Sequence, residues 1–247
     1  MEQLSTLIEN NKSRLRELEE ILGYSFRDPR LLQLALIHRS YAFEQDARRD
    51  VDNERLEFLG DAVLDLTIGY ALFQKYPEMR EGELTKLRAM LVNEAHLAVM
   101  AEHISLGRFL YLGKGEDSSN GRSKPSILSC TYEAVVGAIF HDGGYGAVSD
   151  FVQRHFVPRL DGRRAQLHLA DAKSALQEMT QEKYNEAPVY VLEKAEGPDH
   201  RKVFTVSVRF RGAVLAYGQA TSKKEAEQKG AAAALLKLAD SDIPPPS

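Results

Sequence analysis

The chain has 247 residues, 43% of them hydrophobic, with a formal net charge of −4 and a single cysteine. That length supports one large domain, or one of about 150 residues with a smaller companion, and the second division fits the patterning better. One cysteine excludes an internal disulfide and any cysteine-rich zinc module, and agrees with a reducing compartment. The polar, amphipathic start MEQLSTLIENNKSRLRELEE lacks the apolar core of a signal peptide, and no later stretch is apolar for the ~18 residues a membrane span needs. A cytoplasmic protein without membrane association is expected.

Residues 1–160 read as successive helices, near 4–22, 30–40, 53–75, 81–104, 125–141 and 144–158, so an all-α first domain is expected. Pro77 and the stretch GKGEDSSNGRSK (113–124) mark loops. Within the third helix, NERLEFLGDAVLDL (53–66) sets Glu54, Glu57, Asp61 and Asp65 within an arc of roughly 80°. Leu, Val, Phe and Ala fill most of the remaining circumference, so the helix is expected to be buried on most sides, with its carboxylates crowded into a cleft. Like charges at this spacing repel, and a divalent cation would relieve them. Asp65, at the far end of the stripe, reads as a surface charge.

Residues 161–170 read as a linker, and a different pattern follows over 171–239: helix, three strands, helix. The helix KSALQEMTQEKY (173–184) precedes strands in PVYVLEKA, KVFTVSVRF and AVLAYGQA, and SKKEAEQKGAAAALLKL forms the last helix. Ser222 with Glu225 three residues on makes a capping box. Lys223 and Lys224 then stand where the helix dipole disfavours positive charge, beside free backbone N–H groups, an arrangement that suits a phosphate. Net charge is distributed accordingly: 21 basic against 25 acidic residues up to 170, and 11 against 9 over 171–238. Gly230 interrupts an Ala-rich helix at a cost of about 1 kcal/mol, for which close packing on the sheet is the expected reason. The tail, 240–247, ends in PPPS and is expected to be disordered.

From about residue 14 to 238 the chain resembles bacterial ribonuclease III. The resemblance is carried by LALIHRSY, NERLEFLGDAVL, REGELTKLRAMLV and PSILSCTYEAVVGAIFHDGGY in the first domain, and by GPDHRKVF and SKKEAEQKGAAAALL in the second. It implies an all-α endonuclease domain followed by a small α-β-β-β-α double-stranded-RNA-binding domain. It also implies an obligate homodimer that uses Mg²⁺ to cut double-stranded RNA into products with 5′-phosphate ends and short 3′ overhangs, in rRNA and mRNA processing. By the same resemblance Glu57 and Asp61 are metal ligands completed by Glu133, Glu54 lies near the subunit interface, and Glu81 lies near the scissile phosphate or metal-bound water. Ser174, Gln177 and Gln181, then His200, then Lys223 and Lys224, are the implied RNA contacts, spanning two minor grooves and the phosphates between them.

One position departs from the family pattern. Cys130 stands where an aspartate ligand is usual, on the helical face of Glu133. A thiolate prefers softer ions than Mg²⁺, whereas a neutral thiol leaves the position to water. Three outcomes follow in order: a working enzyme with weaker metal affinity, a preference for Mn²⁺, or a non-cleaving protein that still binds double-stranded RNA. A di-iron bundle with an appended binding module is a third class, disfavoured because neither Glu54–Glu57 nor Cys130–Glu133 supplies the histidine of a Glu-x-x-His pair.

Overall fold

The structure is a computed structural model that describes residues 2–45, 51–198 and 201–239. It divides into two compact units, residues 1–160 and 161–247. The tail at 240–247 and His200 lie outside the described residues.

The first unit is helical: α1 (Glu2–Leu22), α2 (Pro29–Ala35), α3 (Arg39–Glu44), α4 (Glu54–Lys75), α5 (Glu81–Val92), α6 (Glu94–His103), α7 (Lys114–Ser118) and α8 (Pro125–His155). Where the expected helix 30–40 should continue, the backbone is diverted into a short parallel bridge. The His38 N–H donates to the Tyr111 carbonyl at 3.0 Å, and the Tyr111 N–H donates to that of Leu36 at 2.9 Å. The expected helix 81–104 is two, because Asn93 adopts an extended conformation and its Oδ1 caps α6 by accepting from the His96 N–H at 2.9 Å. The two segments expected over 125–158 run as α8, broken at Gly144, whose φ of +73° only glycine adopts readily. The expected loop 113–124 is ordered by Arg122, which donates to the carbonyls of Gly107 and Leu110 and pairs with Asp117.

α4 and α8 form the central pair. Leu56, Val63, Leu64, Ile68 and Leu72 of α4 are buried, as are Ile127, Leu128, Val135 and Ile139 of α8. Two glycines let the backbones meet. A Cβ on Gly60 would lie 1.8 Å from the Glu133 carbonyl oxygen, and one on Gly137 would lie 2.1 Å from that of Leu56. The expectation that α4 is buried on most sides is corrected: on its outer face Phe58, Leu66 and Phe73 are 81%, 59% and 66% exposed.

In the second unit, α9 (Leu160–Tyr184) begins well before the expected helix at 173, so residues 161–170, read from sequence as a linker, are helical throughout. Small, charged and helix-compatible side chains in GRRAQLHLAD offer nothing to stop the helix. Strands β1 (Val189–Glu196), β2 (Val203–Phe210) and β3 (Ala213–Ala220) form an antiparallel sheet in that order, with Tyr190 opposite Val208 and Phe204 opposite Ala220. Arg211 and Gly212, both at positive φ, make the two-residue turn between β2 and β3. α10 (Lys223–Ala239) packs on the sheet, with Ala231 and Ala234 joining Leu176, Val208, Phe210 and Leu215 in one core. Gly230 has the packing reason expected of it: its Cβ would fall 2.8 Å from Val208 Cγ2, while a Cβ on Gly218 would fall 2.0 Å from the Ala226 carbonyl oxygen.

Candidate active site and RNA-binding surface

The α4–α8 crossing defines the acidic site. Asn53, buried at the start of α4, holds that end in place: its N–H donates to the Ile37 carbonyl at 2.9 Å, its Nδ2 to that of Ala35 at 3.4 Å, and its own carbonyl accepts from the Glu57 N–H at 2.8 Å. From there Glu54, Glu57, Phe58 and Asp61 project into a recess of about 350 Å³ whose opposite wall is Glu133 of α8. Sequence reasoning missed Asn53 and Phe58. An asparagine directly before the acidic run was the available signal for the first; nothing in the pattern distinguished Phe58 from the core residues around it.

The electrostatics are those of crowded carboxylates. Burial, joined by the charges of Asp61 and Glu57, pushes the Glu133 carboxyl up to about 7. Cys130 is half-buried beside the same group, and burial together with its hydrogen bond to Glu57 pushes its thiol up to about 12. With no metal bound it is therefore a neutral thiol at neutral pH, and a cation that took it as a ligand would have to displace its proton. Glu54 faces Arg39, at 3.3 Å.

The other implied site residues are dispersed. Glu81 lies outside the recess: it accepts from the Thr85 hydroxyl at 3.0 Å and lines a separate groove with Asp65, Leu66, Phe73 and Arg88. Asp65 pairs with Arg88 at 3.6 Å. Among the described residues no three His, Cys, Asp or Glu side chains stand in position to hold a metal ion as they are placed. The donor chemistry of the recess nevertheless fits a hard divalent ion, being carboxylate oxygen throughout, with a Glu133 proton that such an ion would displace.

In the second unit Ser174, Gln177 and Gln181 are exposed along α9, with Gln181 Nε2 donating to Asn185 Oδ1 at 2.8 Å. Lys223 and Lys224 are exposed at the start of α10. Ser222 caps that helix by accepting from the Glu225 N–H at 3.2 Å, while the Glu225 carboxylate meets Lys229 at 2.8 Å. α9 and α10 are tied through Lys173: its N–H donates to Gln228 at 2.9 Å, and its ammonium pairs with Glu227 at 2.6 Å.

Residues 28–160 match the family model described as Ribonuclease-III-like, and residues 172–238 match that of the double-stranded RNA binding motif. The chain belongs to the ribonuclease III family. It is 62% identical over 232 residues to Ribonuclease 3 of Desulfotalea psychrophila, covering 94% of this chain and 96% of that protein. It is 43% identical over 218 residues to Ribonuclease 3 of Syntrophotalea carbinolica, covering 88% and 94%. A structure of the nuclease domain of ribonuclease III from Campylobacter jejuni, described for flexibility in a region involved in its dimer formation, superposes with a TM-score of 0.52 at 43% identity over 57% of this chain and 96% of that one. The protein is thus a ribonuclease III endoribonuclease with a double-stranded-RNA-binding domain at its C-terminal end. Among the described residues no helix is long and apolar enough to cross a membrane.

Proposed function

We propose that this enzyme, as a cytoplasmic homodimer, hydrolyses the phosphodiester bonds of double-stranded RNA in rRNA and mRNA processing, with Mg²⁺ or Mn²⁺, leaving 5′-phosphate ends and short 3′ overhangs. The observation that carries the reading is the convergence of Glu57 and Asp61 from α4 with Glu133 from α8 on one recess. These three would hold the metal, which supplies activation of a water and neutralisation of charge at the phosphate. The chain's own contribution is to fix the three carboxylates on two helices locked backbone to backbone, with the Glu133 carboxyl raised to about 7, so that it exchanges a proton near neutral pH. Among the described residues Phe58 is the one apolar side chain lining the recess.

The apolar outer face of α4 supports the homodimer. Phe58, Leu66 and Phe73 form a large exposed stripe beside the acidic site, of the kind a self-complementary interface covers. A dimer would set two recesses against the two strands of a duplex. Lys223 and Lys224 supply positive charge at a helix start, suited to phosphates.

The protonated Cys130 favours a second reading, a double-stranded-RNA-binding protein that does not cleave. Incubation of a long duplex RNA with the full chain across a Mg²⁺ and Mn²⁺ series, with product ends mapped and molar mass taken from light scattering, separates the two. Duplex fragments shorter than the substrate, with 5′-phosphates, from a particle of twice the chain mass support the enzyme as proposed. A monomer, or intact RNA in both metals, overturns it.

A further inference from the structure

The geometry points to Gly137 as a positioning residue for the acidic site, one that sets the separation between the Glu57–Asp61 pair and Glu133 by holding α8 in backbone contact with α4. This rests on the metal-binding role proposed for those three carboxylates. A Cβ at position 137 would stand 2.1 Å from the Leu56 carbonyl oxygen and 3.0 Å from the Gly60 nitrogen, and the reciprocal Cβ at Gly60 would stand 1.8 Å from the Glu133 carbonyl oxygen. The contact is thus main chain on main chain, at the level of the acids themselves. Gly60 lies between Glu57 and Asp61, and Gly137 lies one helical turn after Glu133. Side chains can yield by changing rotamer, but a carbonyl within a helix cannot move without the helix. A methyl at 137 therefore displaces α8 from α4 by roughly 1 Å, well beyond the ~0.2 Å tolerance of metal–ligand distances.

The test uses the full chain carrying Gly137→Ala, with Mn²⁺ binding followed by the paramagnetic signal of the free ion and duplex-RNA binding followed by gel shift. Expected is a fall in Mn²⁺ affinity of about ten-fold or more, the size typical of disturbed ligand support, with duplex-RNA affinity unchanged. The Mg²⁺ concentration for half-maximal cleavage should rise in parallel. Gly107→Ala provides the control for steric damage: its Cβ would meet the Arg122 carbonyl oxygen at 2.2 Å, outside the lining of the recess, and Mn²⁺ affinity should hold. Unchanged Mn²⁺ affinity in Gly137→Ala, or an equal loss in Gly107→Ala, overturns the inference. If Gly137→Ala does not fold, Val63→Ile adds one methylene to the buried face of α4, one turn beyond Gly60. A smaller loss of Mn²⁺ affinity there supports the spacing role, and none overturns it. Failure of the unmodified chain to bind Mn²⁺, or binding indifferent to Asp61→Ala, overturns the metal reading itself and is distinguished by requiring no Gly137 variant.

Discussion

Asp61 of α4 and Glu133 of α8 face one another across a single recess, and burial of Glu133, reinforced by the charges of Asp61 and Glu57, pushes its carboxyl up to about 7. In the unfolded chain that group titrates near the ordinary glutamate value. Because the folded pKa is the higher one, folding takes up a proton between the two values. Ionised Glu133 therefore opposes folding above pH 7, and the opposition fades as pH falls toward 4.5. Chemical denaturation in the presence of a chelator should show the nuclease unit gaining stability between pH 8 and pH 5.5, with part of that gain absent in Glu133→Gln. An identical pH dependence in the two proteins would show that the Glu133 carboxyl is not raised by folding.

Removing either wall of the recess should separate cutting from binding. Asp61→Ala and Glu133→Ala each take away a carboxylate without touching the second unit, so cleavage of a long duplex RNA should fall by at least about 100-fold. Duplex-RNA affinity in the presence of Ca²⁺ should stay within about two-fold, because the basic helix start of α10 and the polar face of α9 are intact. Parallel loss of binding would place the acids in RNA recognition instead.

Lys223 and Lys224 stand exposed at the end of α10 where the dipole is unfavourable to them, beside a helix start capped by Ser222. Substituting both with alanine should weaken duplex-RNA binding by a similar factor for every sequence tested and reduce the slope of log affinity against log salt by about 1 to 2. A salt slope equal to that of the unmodified protein would make the pair structural.

The order of elements was legible in the chain because periodicity and turn chemistry are local. Alternation through Val203–Val208 marks a strand, and Arg211-Gly212 marks the turn after it. Breaks fixed by distant partners were not legible: the division of the second helix depends on Tyr111, far along the chain, pairing with Leu36 and His38. The acidic stripe could be read as a stripe, but its division could not. Whether a carboxylate on α4 meets Glu133, as Asp61 does, or Arg88, as Asp65 does, is decided by which helix packs there. Likewise Phe58 and Leu56 are indistinguishable as apolar residues, and only packing against α8 leaves one exposed and the other buried.

Glycines at close approaches give a prediction independent of the nuclease site. A Cβ at Gly218 would lie 2.0 Å from the Ala226 carbonyl oxygen and 2.3 Å from the Gly230 nitrogen, so α10 cannot keep its seat on β3 if position 218 carries a side chain. Gly218→Ala should destabilise the second unit by about 1–3 kcal/mol or more, as overpacking of a filled interior does. Thermal unfolding of residues 161–247 should show a lowered midpoint, with weaker duplex-RNA binding at higher temperature. An unchanged midpoint would mean that helix and sheet can separate at no cost.

Cys130 decides between the two functional readings. Its thiol is held protonated by burial and by Glu57, so it presents no charge to a cation where an aspartate would present a carboxylate. With Glu57, Asp61 and Glu133 still on the recess, the native chain keeps three oxygen donors, and water can complete the coordination. Cleavage in Mn²⁺ or at high Mg²⁺ is the expected behaviour. Cys130→Asp should then lower the Mg²⁺ concentration for half-maximal cleavage by about ten-fold, and raise the proton demand of the site by adding a further carboxylate beside Glu57, Asp61 and Glu133, whose charges already repel. The metal titration should therefore become steeper in pH for the aspartate form than for the native one. If the native chain binds duplex RNA but cuts in no metal, and cutting begins only with the aspartate in place, the protein is a binder whose nuclease unit is silenced at one side chain. If neither form cuts, the acidic recess is not a hydrolytic site at all.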